Sequence, residues 1–353
     1  MASTNKPLTF HRILRRIQYQ KILYICVLIF VGYECISFFS STSPSFSGSL
    51  ITADELKEKL QTNTIRIIDA TYIPRADLPD QQEYRAKYYG NFELLFKYFN
   101  EDEYVQEHIP GAVLLNMDIG FHFNQFKRYD VYPPEVGQQL LRLLGINNGD
   151  IVVVYGRGPM AGMLFAAHIW WLLKYYGIEE AYVLNGGLDA WKKAGNPVTS
   201  KFDVVEPGNF VAKPNSKLSV SFDELVFKDT NGKSLIDRFE TINVFDARPF
   251  DQYAGGLKMY NPSANVGGTH IRGAKSLPVM QIVNENGLLP AQTVRQALDK
   301  AGFVPGKPVI VYCNSGSQAS LLFLALYDFG VKDIKLYQGG MNEMMVRDPG
   351  QIS

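Results

Sequence analysis

The amino-acid sequence predicts an α/β protein of two tandem domains, each a mostly parallel sheet with helices on both faces, preceded by one N-terminal transmembrane or signal-anchor helix. Three observations lead there. The chain repeats its own landmarks from about Leu50 onward, each copy alternates short apolar runs with longer apolar stretches, and the short runs lack a period of two. At 353 residues there is room for two ordinary domains, and 46% hydrophobic with 20% charged residues is normal globular composition.

One copy holds "IRIIDATY" (65–72), "EHIPGAVLL" (107–115), "DIVVVYGRGPMAGMLFAAHIWWLLKYYG" (150–177) and "AYVLNGGLDAW" (181–191). The other holds "TINVFDARPF" (241–250), "THIRGAKSL" (269–277), "KPVIVYCNSGSQASLLFLALYDFG" (307–330) and "DIKLYQGGMNEM" (333–344). Order, spacing and landmarks agree, and two copies of this size make tandem domains rather than a solenoid. Runs such as "VVVY" and "VIVY" are apolar throughout, as strands buried on both faces are. Helices are expected over 161–176 and 319–329, each followed by a capping glycine, Gly177 and Gly330. Strands alternating with helices imply parallel sheets covered on both sides. Domain 1 is therefore placed at 50–198, a Pro/Gly-containing linker at 199–217 and domain 2 at 218–349. The tyrosine-rich stretch 83–104 reads as an amphipathic surface helix and loop.

Ahead of the repeat lie a basic segment (1–21), an apolar run (22–39) and a Ser-rich linker (40–49). The run is uncharged except for Glu34 and approaches the roughly 20 residues that span a bilayer. Lys6, Arg12, Arg15, Arg16 and Lys21 all precede it, which places the N-terminus in the cytosol. The leader is also rich in Arg, Ser and Thr with no acid before Glu34, as mitochondrial presequences are, and the chain has no Asn-X-Ser/Thr sequon with X other than Pro. A single-pass membrane protein is expected, with mitochondrial and secretory-pathway membranes both left open.

Thirty-five basic residues balance thirty-five acidic ones, so nothing in the charge points to nucleic acid. Cys26 and Cys35 lie in the apolar run, which leaves Cys313 as the one thiol of the folded part. It directly follows the strand "VIVY", and "CNSGSQ" leads into a helix. Open α/β sheets bind ligands beyond the carboxyl ends of their strands. Backbone N–H groups and the positive helix end are expected to converge on the sulfur there, lower its pKa and favour the thiolate. The bland alternative is a buried structural cysteine. Against it, the first copy has Gly156 at this position, where a packing thiol would give way to Ala, Val or Ser.

The duplicated plan, the "EHIPGA" and "THIRGA" turns, "VLNGGLDAW" and a single Cys loop in the second half resemble the tandem-rhodanese sulfurtransferases, the thiosulfate and 3-mercaptopyruvate enzymes. The resemblance covers about 50–345. It implies a non-catalytic domain 1 and a catalytic domain 2, where Cys313 takes a sulfane sulfur from a small anionic donor, holds it as a persulfide and passes it to a thiol or cyanide. It implies that Ser315 moves a proton at the substrate and that His108 of "EHIPGA" is a relay. Arg248 of "DARPF" would grip the donor carboxylate, with Asn314, Gly316, Ser317 and Gln318 lining the same site. In the thiosulfate branch Arg-Lys follows the cysteine, and in the mercaptopyruvate branch Gly-Ser does. Here Asn314 and Ser315 follow, Gln252 stands at the family's second arginine, and Ser317 and Gln318 replace the usual Val-Thr. With those cations missing, a 3-mercaptopyruvate-like donor is expected ahead of thiosulfate. The expected partners are that donor, a thiol acceptor such as thioredoxin or glutathione, and the membrane through the N-terminal segment.

No Walker loop, dinucleotide fingerprint or metal-spaced Cys/His cluster occurs, so no cofactor and no metal are expected. His168 reads as a core or domain-interface residue, His270 as structural, and His122 has no partner evident in the sequence. Glu101, Asp102 and Glu103 are candidate partners for His108, and Arg157 with Gly158 reads as a relic anion loop packed against the other domain. The alternative function is a binding or redox-sensing protein acting through Cys313. A Cys-loop phosphatase is set aside because no arginine closes the loop over 317–320.

Overall fold

The computed structural model describes residues 48–61, 64–75, 78–256 and 269–353, and the apolar run 22–39 with Cys26 and Cys35 lies outside them. Domain 1 opens with β1 (Leu50–Ile51) and α1 (Ala53–Leu60). Thr52 caps α1 reciprocally with Glu55, which satisfies two N-terminal donors. The sheet adds β2 (Ile65–Asp69), β3 (Ala112–Leu114), β4 (Ile151–Tyr155) and β5 (Ala181–Leu184) in the order β1-β5-β4-β2-β3, every pair parallel. Val152 and Val154 of β4 enter one apolar core while Ile151, Val153 and Tyr155 enter another. Both faces are covered, which is why the strand shows no polar alternation.

Domain 2 repeats the arrangement with β6 (Asn243–Asp246), β7 (Lys275–Ser276), β10 (Val309–Tyr312) and β11 (Ile334–Tyr337), ordered β11-β10-β6-β7 and all parallel. A two-stranded antiparallel ribbon, β8 (Val283–Asn284) and β9 (Gly287–Leu288), intervenes. The place of β1 is taken by a single parallel bridge from Ser219 to Leu336. The stretch 199–217 is tied to domain 1: Thr199 pairs with His108, the Gly208 N–H donates to the Arg142 carbonyl, and Phe210 is buried.

The two domains meet along the helices that follow their central strands, α6 (Met163–Tyr175) and α9 (Ser317–Asp328). Before α6 come α2 (Phe92–Tyr98), α3 (Asp102–Gln106), α4 (Met117–Gly120) and α5 (Pro134–Leu143), between the two come α7 (Gly187–Lys193) and α8 (Ala291–Lys300), and α10 (Gly340–Arg347) follows α9. His168 lies beside Ser317, Trp170 beside Phe323 and Lys174 beside Tyr327, so the two helices advance in the same sense. Each is apolar nearly all round because each is covered by its own sheet and by its counterpart. Gly177 and Gly330 follow them at φ 97° and 98°, the left-handed conformation their capping role requires.

The membrane localisation expected from the sequence is corrected. No helix among the described residues is long and apolar enough to cross a membrane. The apolar helix α6 has 13 residues, about 20 Å of rise against a hydrocarbon core of ~30 Å, and it is buried between domains. A single-pass membrane protein is not supported. The stretch 83–104 also differs from a surface helix. It breaks into a π-turn at Tyr84–Tyr88 followed by α2 and α3, and buries Tyr84, Tyr88, Phe92, Leu95, Phe99 and Tyr104. Its aromatics form one wall of the larger core.

Candidate active site

β10 ends at Tyr312, whose hydroxyl accepts the Ile271 N–H at 3.1 Å and so ties the strand end to the "THIRGA" turn. Tyr155 does the same for Ile109 of "EHIPGA" at 3.0 Å. Cys313 follows Tyr312, and the loop Cys313–Gly316 turns at Gly316 (φ 99°) into α9. The close turn also depends on Gly340 (φ 56°), where a Cβ would come 2.3 Å from the Cys313 carbonyl oxygen. Gly187 (φ 57°) stands equally close, 2.4 Å, to the Gly156 oxygen in domain 1. The two "GG" pairs of the sequence are thus required by the same close approach.

Cys313 is a free thiol, 2% exposed, and its Sγ accepts the Gly316 N–H at 3.2 Å. Burial pushes its pKa up, while the N–H groups of Ala319, Ser315 and Gly316 pull it down. The cradle expected from the sequence is present, but the lowered pKa is not, because desolvation outweighs the amide donors in this closed state. Asn314, Ser315 and Gln318 are half-buried around the sulfur loop. Asn314 donates from Nδ2 to Gln252 Oε1 at 3.1 Å, so the two positions that lack the family's cations are joined as an amide pair.

Arg248 is seated differently from a substrate clamp. It is 1% exposed, and Nε and Nη2 grip the Asp246 carboxylate at 2.6–3.0 Å. Nη2 also donates to the Thr269 carbonyl at 2.6 Å and Nη1 to Asn314 Oδ1 at 3.3 Å. A buried carboxylate needs such a partner. His108 is likewise enclosed by domain 1: Nδ1 lies 2.8 Å from the Tyr104 carbonyl and Nε2 3.1 Å from that of Lys201, and the rings of Tyr104 and Phe202 stack on it. The expected acidic partners do not reach it. Glu101 instead accepts from Asn116 Nδ2 at 3.0 Å, and burial raises its pKa to about 7. Arg157 does not pack on domain 2; it closes domain 1's own loop through Asp69 at 3.0 Å, Thr71 at 2.8 Å and the Glu107 carbonyl.

His168 is the domain 1 histidine that reaches the sulfur loop. Its Nδ1 lies 3.3 Å from Ser317 Oγ and its Nε2 3.2 Å from Gln338 Nε2, so the ring accepts from the amide and donates to the hydroxyl. Full burial lowers its pKa to about 3 and keeps it neutral. Tyr129 and Phe121 pack on the same ring at 5.9 and 4.5 Å. Sequence reading missed Tyr129 and Gln338, since nothing in "FKRYD" or "LYQGG" marks them as neighbours of a loop well over a hundred residues from the former.

A thiol set among backbone amides at the end of a parallel strand, with a second domain closing over it, defines a cysteine-loop α/β protein. The pattern described as "Rhodanese-like domain" matches residues 52–194 and 231–346. A putative thiosulfate sulfurtransferase of Caenorhabditis elegans is 32% identical over 298 residues, 82% of this chain and 90% of the relative. The thiosulfate sulfurtransferase of Bos taurus is 33% identical over 250 residues, 70% and 80% respectively. The crystal structure of SseA from Escherichia coli, a 3-mercaptopyruvate sulfotransferase, superposes with a TM-score of 0.63 at 26% identity, covering 84% of this chain and 100% of that one. The chain belongs to the rhodanese family, among its tandem sulfurtransferases.

Proposed function

We propose that the protein moves a sulfane sulfur from a small anionic donor to a thiol acceptor through a persulfide on Cys313, with a 3-mercaptopyruvate-like donor ahead of thiosulfate. The observation that carries this reading is the Cys313 sulfur at the carboxyl end of β10, facing the N–H groups of its own loop and of the first turn of α9. Cys313 attacks the donor's sulfur, the donor's C–S bond breaks, and the electron pair leaves on carbon as the enolate of pyruvate. The proton given up by Cys313 ends on that carbon, so thiol plus mercaptopyruvate becomes persulfide plus pyruvate. The amide donors stabilise the sulfur anion as it forms, which offsets the burial that holds the resting thiol neutral. An acceptor thiolate, of thioredoxin, glutathione or a similar thiol, then attacks the outer sulfur and Cys313 leaves as thiolate.

Ser315 is the proposed proton carrier at the donor, because it lies half-buried in the sulfur loop while the two ring nitrogens of His108 face the carbonyls of Tyr104 and Lys201. The neutral Asn314–Gln252 pair supports the donor preference, since a dianion placed there would meet two amides and, behind them, an arginine already paired with Asp246. Steady-state transfer to cyanide and to a dithiol, measured with 3-mercaptopyruvate and with thiosulfate, tests the reading. It predicts a higher kcat/KM for 3-mercaptopyruvate; a clear preference for thiosulfate would reverse the donor assignment.

A further inference from the structure

A donor carboxylate still needs a cation, and neither Asn314, Gln252 nor the buried Arg248 offers a spare one. Resting on the sulfur-transfer reading, we propose that Arg128 of domain 1 supplies it, binding the donor's carboxylate from across the domain interface. Arg128 sits on a tight loop in which the N–H and carbonyl of His122 bridge those of Asp130, and Lys127 and Asn124 bind the Asp130 carboxylate. The loop reaches domain 2, where the Arg347 guanidinium of α10 lies 5.2 Å over the Phe126 ring. That helix begins at Gly340, the residue pressed against the Cys313 carbonyl.

From Arg128 a chain of side-chain contacts runs through Tyr129 and His168 to the sulfur loop. Its Cζ lies 4.9 Å over the ring of Tyr129, Tyr129 packs on His168, and His168 meets both Ser317 Oγ and the Cα of Gly316, where a Cβ would come within 2.9 Å of Cε1. Burial above all, and to a lesser degree charge on Asp118 and Cys313, push the Tyr129 hydroxyl's pKa up, while Arg128 pulls it down. The guanidinium is only partly engaged within domain 1. Nη2 donates to Asp118 Oδ1 at 2.6 Å and to the Tyr72 hydroxyl at 3.1 Å, and among the described residues neither Nε nor Nη1 has a hydrogen-bond partner. The side chain is 24% exposed, against 2% for Asp118. Asp118 is held in turn by the N-cap Asn116 of α4, and its second oxygen is buried without a partner among the described residues. A half-satisfied buried carboxylate is costly, and its evident return is a fixed guanidinium with an open edge. An open N–H pair on a planar fork suits a monoanionic carboxylate.

The full chain, Arg128→Gln, Arg128→Lys and the double variant Asp118→Asn/Arg128→Gln test this with 3-mercaptopyruvate; the double variant removes the stranded carboxylate in case the single one folds poorly. Loss of a charge-assisted contact is expected to raise KM by about tenfold or more with kcat within about threefold, and lysine to restore part of it. A second readout is the rate ratio for Cys313 alkylation by anionic iodoacetate against neutral iodoacetamide, which should fall in Arg128→Gln. An unchanged KM and an unchanged ratio in folded variants overturn the inference. If the parent protein accepts no sulfur from either donor, the sulfur-transfer reading fails, and a falling ratio would still assign Arg128 as the anion site.

Discussion

The loops after β4 and β10 occupy the same place in two copies of one sheet, and they have been filled in opposite ways. Both start after a tyrosine that binds the turn of the neighbouring strand, Tyr155 to Ile109 and Tyr312 to Ile271, and both are pressed by the second glycine of a "GG" pair. In domain 1 the loop runs seven residues, from Gly156 to Gly162, holds Met160 and Ala161 at positive φ, and is closed by Arg157 on Asp69. In domain 2 the loop needs four residues, Cys313 to Gly316, and the matching Asp246 is neutralised by Arg248 from its own strand end. In domain 1 the neutralising arginine stands on the loop itself, whereas in domain 2 it stands at the end of the neighbouring strand and the loop position is held by Cys313, whose sulfur accepts the Gly316 N–H.

The largest effect is expected at the thiol. Cys313→Ser should abolish sulfur transfer without loss of structure by circular dichroism, while Gly156→Cys should create none, since a side chain there meets the Gly162 carbonyl at 2.6 Å. Next comes Arg157→Gln, which strands the fully buried Asp69 and should cost roughly 3–5 kcal/mol in denaturant unfolding while leaving kcat per folded molecule intact. The glycine pair separates the domains further. Gly187→Ala and Gly340→Ala should each destabilise by about 1–3 kcal/mol, but only the second should also lower kcat, because it displaces the Cys313 carbonyl.

The smallest effect is in the pH dependence of stability. Glu101 in the fold has a pKa raised to about 7, so the native state holds a proton the unfolded chain has released, and stability falls as pH rises from about 4.5 to about 7. His168, lowered to about 3, works the other way: the unfolded chain takes up a proton first, so stability falls as pH drops from about 6.5 to about 3. Asp118 and His122 add contributions of the same respective signs. Glu101→Gln should unmask the histidine slope, at most about 1.4 kcal/mol per pH unit for one proton, between pH 4.5 and 6.5.

Much of this architecture is legible in the sequence because the duplication prints it twice. The buried strands "VVVY" and "VIVY", the capping glycines and the thiol at a strand end are local patterns, and local patterns survive the loss of three dimensions. What was not legible joins residues distant along the chain. Arg157 closes on Asp69 and Tyr129 reaches His168; the one local miss is Arg248, which turns inward to Asp246 two residues back rather than outward, because a buried carboxylate at the strand end must be neutralised first. The stretch 83–104 misled through its polar residues, whose spacing suggested a surface while the intervening aromatics were packing inward. The pKa of Cys313 depends on how far burial competes with amide donors, and that balance is set by domain 1 closing over the loop, which no motif encodes.

The central claim is that Cys313 carries the sulfur, and intact-mass spectrometry of the full chain after brief exposure to 3-mercaptopyruvate tests it most directly, with Cys313→Ser as control. One reductant-labile addition of about 32 Da, absent from the control, is the predicted result. A folded protein that gains no mass from either 3-mercaptopyruvate or thiosulfate, while its thiol still takes an alkylating agent, would contradict it.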